Sequence, residues 1–281
     1  MRVPLIAALS VLLASVFAGP SPPPGALIVG KDGQYKSVQA AVNAATSGKT
    51  IFIHAGTYNE QVYIPPGKNG LTLIGSSSSP DSYSGNTVTI THGFSQKDGK
   101  SNDLTGTLRA HGNGLRFYNI NFVNSFGKGS QALALSAYGD QQGYYACQFK
   151  GFQDTVLSEA GKHVFVKSMI SGATDFIFGQ HGQAWFEQVD IRVVNAGLGY
   201  ITANGRDSAS NPSFYVINKS SVGGSAPDGA FYLGRPWRAY SRVVFQHTSM
   251  SKVINGQGWK EWAGGDARTG NVYYGEYANT G

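Results

Sequence analysis

Apolar residues at helical spacing occur in one segment near the start of the chain. Within Ser37–Ala45 (SVQAAVNAA) the valines and alanines recur at intervals of three and four residues, which places them on one face of an α-helix. Ser37 comes just before the first apolar residue and is a suitable N-cap. The pattern therefore predicts a short helix over Ser37–Ala45.

The rest of the chain consists of short apolar runs separated by Gly, Asn, Asp and Ser, which is typical of strands joined by turns. Two of these runs, Phe117–Phe122 (FYNINF) and Tyr144–Phe149 (YYACQF), match position by position. Related runs follow at Val164, Trp185, Phe214 and Val243, with successive steps of 27, 20, 21, 29 and 29 residues. Such self-similarity indicates a solenoid, and one strand-like run per step favours a parallel β-helix with insertions.

The ends of a solenoid expose the apolar interior unless something covers them. The predicted helix is placed to cover the N-terminal end, whereas the chain closes on Asn279–Gly281 without a comparable segment. A two-layer β-sandwich is the alternative fold. It predicts strands at intervals of roughly 8–12 residues joined by hairpin turns, and few such turns lie between the runs.

Composition agrees with a folded, β-rich protein. The 281 residues include 38 Gly, 15 Tyr and 15 Phe, and only 14% are charged against 41% hydrophobic. This balance excludes intrinsic disorder. Cys147 is the one cysteine, so no intrachain disulfide forms. It aligns with Ile120 in the repeat, which predicts a core residue rather than a reactive thiol.

The first segment, Met1–Ala18, has the pattern of a secretory signal peptide. Arg2 supplies the positive charge, an apolar run follows, and Val16 and Ala18 are small residues at the positions that signal peptidase reads. A membrane anchor is the alternative, but the run is shorter than the roughly 20 residues of a membrane span. The sequence therefore predicts a secreted, extracellular protein with one domain over residues 19–281.

The chain carries a formal net charge of +6, and removal of the leader with Arg2 leaves +5. A modest positive charge favours a polyanionic partner, such as nucleic acid, a membrane surface or an acidic polysaccharide. Secretion makes nucleic acid the weakest of these candidates. Solubility alone is the alternative explanation of the charge.

Polar residues at a one-coil spacing carry the candidate chemistry. Gln131 and Gln153 are 22 residues apart, and Asp154 and Asp175 are 21 apart. Residues one coil apart in a β-helix lie about 4.8 Å from each other. Two carboxylates at that distance do not both ionise easily, so the pKa of one is raised. The pair then suits a general acid and a nucleophile, and the amides suit an oxyanion.

A structural role is the alternative for this set, because Asp and Gln stacks also form ladders and cap turns. Spacing alone leaves both readings open. The segment Leu233–Trp237 (LGRPW) adds Arg235, which is suited to a forked pair of hydrogen bonds with a carboxylate, and Trp237, a flat surface for a sugar ring. As an alternative, a turn and a packing residue explain the same two positions.

Five segments occur in the order found in pectin methylesterases: Gly56–Glu60 (GTYNE), Gln131–Leu133 (QAL), Gln153–Thr155 (QDT), Asp175–Gly179 (DFIFG) and Leu233–Trp237 (LGRPW). The chain therefore resembles that family over about residues 27 to 281. The resemblance implies an all-β, right-handed, single-stranded parallel β-helix with a short N-terminal capping helix. It also implies hydrolysis of the methyl esters of polygalacturonate (pectin), without a metal or an organic cofactor.

The resemblance assigns roles to eight positions of this chain. Asp175 is similar to the family's nucleophile and Asp154 to its general acid and base, and Gln131 and Gln153 are similar to its oxyanion donors. Arg235 is similar to the residue that holds the nucleophilic carboxylate. The remaining positions, expected to contact the sugar chain, are Trp237, Phe178 and Phe152, with core packing as the alternative for the two phenylalanines.

Other classes of pectin-active protein remain as alternatives to the esterase. A pectate lyase needs a calcium-binding carboxylate cluster and a polygalacturonase needs an adjacent aspartate pair, and neither pattern occurs. The third alternative is an inactive polysaccharide-binding β-helix. The six histidines lack metal-ligand spacing. We expect a monomer that binds pectin, with no nucleic acid, membrane, metal or cofactor partner.

Overall fold

The regular structure is almost entirely β-strand. The computed structural model describes residues 21–281, so the predicted signal peptide, Met1–Ala18, lies outside the described residues and stays a prediction. The strands form three sheets of ten, eight and seven strands, called sheets A, B and C here. Neighbouring strands run parallel in all three sheets.

The strands are numbered along the chain. Sheet A contains β1 (Leu27–Val29), β2 (Thr50–Ile53), β5 (Thr72–Gly75), β8 (Arg116–Tyr118), β11 (Gln142–Tyr145), β14 (Lys162–Val166), β17 (Gln183–Glu187), β20 (Phe214–Asn218), β23 (Arg242–Gln246) and β25 (Tyr273–Tyr277). Sheet B contains β3 (Gly56–Asn59), β6 (Val88–His92), β9 (Ile120–Asn124), β12 (Gln148–Lys150), β15 (Met169–Gly172), β18 (Asp190–Val193), β21 (Ser221–Gly224) and β24 (Ser249–Met250). Sheet C contains β4 (Val62–Ile64), β7 (Leu108–Ala110), β10 (Leu135–Ala137), β13 (Val156–Ser158), β16 (Ile177–Gly179), β19 (Gly199–Asn204) and β22 (Phe231–Gly234).

The chain visits the sheets in a fixed order. From β8 to β22 it passes from sheet A to B to C and then back to A, so each strand pairs with the strand three places earlier. This path is one continuous coil, with the right-handed sense that parallel crossovers nearly always take. The predicted all-β, right-handed, single-stranded parallel β-helix is confirmed.

Each coil from β8 onwards turns from sheet A to sheet B at one residue with positive φ. These residues are Asn119, Ala146, Lys167, Gln188, Lys219, His247 and Ala278, with φ between 47° and 55°. Non-glycine residues seldom adopt this left-handed conformation. Its recurrence at the same place in successive coils shows that stacking of the coils determines the turn.

The interior is filled by side chains stacked from coil to coil. Phe117, Tyr144, Phe165 and Phe186 are fully buried and form one row, with ring centroids 5.1, 4.7 and 4.8 Å apart. Parallel rings at these distances gain stacking energy in addition to area burial. Cys147 is fully buried, and burial raises the pKa of its thiol to about 12, so the predicted core role is confirmed.

The N-terminal end is covered by the predicted helix. Helix α1 spans Val38–Ala44, and the Ser37 hydroxyl accepts a hydrogen bond from the backbone of Ala40 at 3.2 Å. Its apolar face is buried, so this prediction is confirmed. The other helices within residues 21–281 are short: α2 (Asn102–Thr105) and two 3₁₀ turns (Tyr83–Gly85 and Gln96–Asp98).

Some of the predicted repeat steps were wrong by one or two residues. The observed pairs join Tyr144 to Phe165, Trp185 to Val216, and Tyr215 to Val243. The steps are therefore 21, 31 and 28 residues, where 20, 29 and 29 were predicted. Side chains along a strand point alternately inward and outward, and each apolar run contains two adjacent residues that could take the inward position. The sequence alone therefore does not determine the register of the strands.

Candidate active site

A cavity of about 330 Å³ opens on the outer face of sheet C. Seven of the eight predicted site residues line it: Gln131, Gln153, Asp154, Asp175, Phe178, Arg235 and Trp237. The eighth, Phe152, is half-buried and packs against the main core, so the structure does not bring it to the cavity.

The two aspartates lie in register on successive coils. Gln153 and Thr174, the residues before them, form a parallel bridge, and the backbone of Asp154 donates to the Thr174 carbonyl at 3.0 Å. Adjacent strands are about 4.8 Å apart, so the carboxylates are neighbours. Both residues also have positive φ, 60° for Asp154 and 50° for Asp175. Non-glycine residues with such backbone strain cluster at functional sites.

Arg235 holds one of the two carboxylates. Its Nε donates to Oδ1 of Asp175 at 2.9 Å, and its Nη2 donates to Oδ2 at 2.7 Å. This forked pair fixes the orientation of the Asp175 carboxylate. The guanidinium is itself held between the rings of Tyr200 and Trp262, at 4.1 and 4.2 Å, and Nη1 donates to the Trp262 carbonyl at 3.0 Å.

The charge environments of the two aspartates differ. Burial raises the pKa of Asp154 well above its ordinary value, the neighbouring Asp175 raises it further, and Arg235 offsets only part of the effect. Burial also raises the pKa of Asp175, but hydrogen bonds and charge attraction from Arg235 oppose that rise. The pKa of Asp154 is therefore raised more than that of Asp175, because only Asp175 is bonded to Arg235.

The two glutamines provide hydrogen-bond donors next to the aspartates. The backbone of Ala132 donates to the Gln153 carbonyl at 3.2 Å, which places Gln131 one coil before Gln153. Both side chains line the cavity. Within residues 21–281 neither side-chain Nε2 donates to a protein acceptor, so both amides are free to donate to a bound molecule.

An apolar wall forms the other side of the cavity. Phe178 packs in a cluster outside the main core with Trp237 and Trp262, and the ring centroids of Phe178 and Trp237 are 6.1 Å apart. Trp237 lies directly on Gly205, where an added Cβ would come within 2.6 Å of the indole. A flat apolar wall beside a polar floor suits a sugar ring, which has both kinds of surface.

Sequence reasoning missed four polar or aromatic residues that line or support the cavity. Gln96, Asn102 and Trp262 line it, and Tyr200 supports Arg235. Tyr200 was detectable, because the pairing of Ile177 with Thr202 places it one coil after Asp175. The other three lie in or beside irregular segments, where coil spacing gives no signal.

Within residues 21–281, no group of three or more His, Cys, Asp or Glu side chains is arranged to hold a metal ion. Over the same residues, the helices are all too short or too polar to span a membrane.

Comparison with known proteins identifies the family. The sequence model of the pectinesterase family matches residues 26–281. A pectinesterase of Aspergillus aculeatus is 50% identical, over 98% of this chain and 86% of that protein, and a pectinesterase of Aspergillus niger is 47% identical, over 98% and 85%.

Solved structures agree with this result. A deglycosylated pectin methylesterase from Aspergillus niger superposes with a TM-score of 0.87 at 39% identity, over 93% of this chain and 87% of that chain. The pectin methylesterase from carrot gives a TM-score of 0.84 at 32% identity, over 93% and 84%. The chain therefore belongs to the pectinesterase family.

Proposed function

We propose that the protein hydrolyses methyl esters of the galacturonate units of pectin, with Asp175 as the nucleophile and Asp154 as the general acid and base. Membership of the pectinesterase family supports the reaction. The assignment of roles depends mainly on one observation: Arg235 binds Asp175 through two hydrogen bonds and leaves the buried Asp154 beside it without such a partner.

The first half of the reaction forms an acyl-enzyme. A carboxylate oxygen of Asp175 attacks the ester carbonyl carbon, and the carbonyl oxygen becomes an oxyanion. The amides of Gln131 and Gln153 donate hydrogen bonds to this oxyanion, which develops most of its charge in the transition state. The bond to the methoxy group then breaks as Asp154 gives it a proton, and methanol leaves.

The second half regenerates the enzyme. Asp154 is now an anion and removes a proton from a water molecule, whose oxygen attacks the same carbonyl carbon. The bond to Asp175 breaks, and Asp175 leaves as a carboxylate that Arg235 again stabilises. The pectin unit is released with a free carboxyl group, and Asp154 is protonated for the next cycle. Over one full cycle Asp154 gives one proton to the methoxy group and takes one from water.

Trp237 and Phe178 are proposed to bind the sugar ring that carries the ester. Their apolar wall adjoins the polar groups of the cavity, so one ring can stack while its ester reaches Asp175. For Phe152 the packing against the main core supports the alternative role of core packing.

The cellular setting is part of the same proposal. The apolar leader at Met1–Ala18 supports secretion to the cell exterior, where pectin occurs, with residues 19–281 as a single catalytic domain. We infer a monomer because every proposed catalytic group lies on one chain. Neither nucleic acid nor a membrane has a part in this reaction.

Product analysis on highly esterified pectin tests the reaction class. The esterase releases methanol without shortening the polymer. A lyase would instead produce unsaturated ends that absorb ultraviolet light, and a polygalacturonase would produce new reducing ends. Binding of pectin without any of the three products would indicate an inactive β-helix. Each of these three results contradicts the proposal.

A further inference from the structure

A second cluster of aromatic and polar side chains lies on the same outer face of sheet C as the catalytic cavity. Tyr138 follows the last residue of β10, and the pairing of Ala137 with Ser158 aligns it with Glu159. Glu159 is five residues after Asp154, a distance of roughly 16 Å along a strand. Tyr138 is therefore outside the cavity but on the surface that extends from it.

Tyr138 is more exposed to solvent than the tyrosines of sheet C. Its exposed fraction is 38%, against 8% or less for the buried tyrosines of the same sheet, Tyr200 and Tyr232. A single exposed aromatic residue is common on protein surfaces, so exposure alone does not indicate a site. The residues beneath Tyr138 provide the further evidence.

The ring of Tyr138 rests on a rigid support. It packs on the imidazole of His111 with ring centroids 4.7 Å apart. The ring of Tyr63 makes an edge contact with the same imidazole, with centroids 5.1 Å apart. His111 Nε2 is 2.8 Å from Oδ1 of Asp103. The Arg109 guanidinium donates to the other oxygen of Asp103, with Nη2 2.6 Å from Oδ2. A side chain held in this way loses little entropy when a ligand packs on it.

This support is connected to the catalytic cavity. Asp103 belongs to helix α2, whose first residue, Asn102, lines the cavity. The hydroxyl of Ser136, a residue of β10, donates to Asp103 at 2.8 Å, so α2 is fastened to sheet C between the cavity and Tyr138. Helix α2 therefore connects the lining of the cavity to the residues that support Tyr138.

The charges around Tyr138 select among the units of a pectin chain. Burial, Glu159 and Asp103 together raise the pKa of its hydroxyl to about 12, so the hydroxyl remains a hydrogen-bond donor. Asp103 is paired with Arg109, so Glu159 is the carboxylate that would repel a free galacturonate carboxylate. A methyl-esterified unit has no charge and presents an apolar ring face.

We propose that Tyr138, supported by His111, is a distal subsite that stacks on a methyl-esterified galacturonosyl unit several positions from the ester being hydrolysed. This inference rests on the proposed function. It predicts that chains long enough to reach Tyr138 bind more tightly than shorter ones, and that the gain needs a flat ring at this position.

The test uses Tyr138→Ala and a series of fully methyl-esterified oligogalacturonides of increasing length, with methanol release as the readout. For long oligomers we expect KM to rise roughly fivefold, as loss of one aromatic contact implies, with kcat little changed. For oligomers too short to reach Tyr138, KM should equal that of the wild type. Tyr138→Phe should retain most of the long-chain advantage, and Tyr138→Leu, which keeps an apolar side chain, should lose it.

Trp185→Ala is the matched control, because Trp185 is 41% exposed but lies in sheet A, and its KM should not change at any length. An equal KM change for short and long oligomers, or no change for either, would overturn the distal subsite. If Tyr138→Ala does not fold, Tyr138→Leu decides the question by the same comparison. Wild-type methanol release from the oligomers tests the proposed function separately, so the two failures are distinguishable.

Discussion

At the residue scale, the site places two identical side chains in different environments. Asp154 and Asp175 have similar backbone angles and stack on adjacent coils, yet only Asp175 receives the two hydrogen bonds of Arg235. Enzymes commonly separate the roles of two carboxyl groups by their environments. Here the position of one guanidinium separates the proposed acid from the proposed nucleophile.

The raised pKa of Asp154 predicts a change in stability with pH. Burial raises the pKa of this carboxyl well above its ordinary value in the folded state, whereas in the unfolded chain it ionises near 3.8. The folded state therefore binds more protons above that pH, and the free energy of unfolding falls as pH rises toward the folded-state pKa. Asp154→Asn is neutral at every pH and avoids this loss.

We therefore expect Asp154→Asn to have a higher Tm than the wild type at neutral pH, with no difference below about pH 4. Thermal unfolding of the two proteins across this range is the measurement. A Tm difference that is independent of pH would show that Asp154 is not protonated in the folded enzyme at neutral pH.

The glutamine amides should contribute to kcat. Gln131→Ala and Gln153→Ala should each lower kcat for methanol release by about 100-fold or more, the usual cost of removing one oxyanion donor. Gln183→Ala is a suitable control because Gln183 lies in sheet A, outside the cavity. There its side-chain amide donates to the Pro212 carbonyl. A loss of less than about threefold in either cavity variant would exclude that amide from the transition state.

At the element scale, coils stabilise one another through contacts that the sequence does not reveal. Glu60, the last residue of the GTYNE segment, accepts hydrogen bonds from the backbone nitrogens of Val38 at 2.7 Å and Gln39 at 2.8 Å. These are the first two residues of α1, whose N–H groups have no partner within the helix. One coil thus caps the helix that closes the stack, which gives this motif a structural role.

Glu60→Ala should therefore reduce stability without reducing activity. Loss of two hydrogen bonds to a charged acceptor should lower the free energy of unfolding by roughly 2–3 kcal/mol, measured by denaturant titration. Its kcat should match that of the wild type, since Glu60 is not among the residues lining the cavity. A large fall in kcat in the folded variant would instead place Glu60 in the function of the site.

The elements were predictable where stacking imposes a regular spacing. The 21-residue step between Asp154 and Asp175 was visible in the sequence because the preceding coil also spans 21 residues. The 31-residue step from Trp185 to Val216 was wrongly estimated, since it includes the irregular loop after β19. Irregular segments also made the C-terminal end of the stack unpredictable from the sequence. Trp259 lies there outside regular strands, yet its ring stacks on that of Tyr274 with centroids 4.1 Å apart.

At the scale of the whole molecule, net charge should influence substrate capture. The chain has a formal charge of +6 and the proposed substrate becomes more acidic as esters are removed. Exposed charges attract less strongly once salt shortens the screening length to about 8 Å at physiological ionic strength. We expect KM for low-ester pectin to rise with salt, while KM for fully esterified oligomers stays constant. A constant KM for both substrates would exclude electrostatic steering.

The account as a whole depends on Asp175 as the nucleophile, and the most direct measurement is methanol release by Asp175→Asn. We expect kcat to fall by several orders of magnitude, as loss of a catalytic nucleophile does, in a protein whose Tm shows that it is folded. Asp140→Asn is the control and should keep full activity. Asp140 lies outside the cavity, where its carboxylate accepts a hydrogen bond from the backbone nitrogen of Lys162. If Asp175→Asn keeps more than about a tenth of wild-type kcat, far above the residual activity expected, Asp175 is not the nucleophile and the proposed mechanism is wrong.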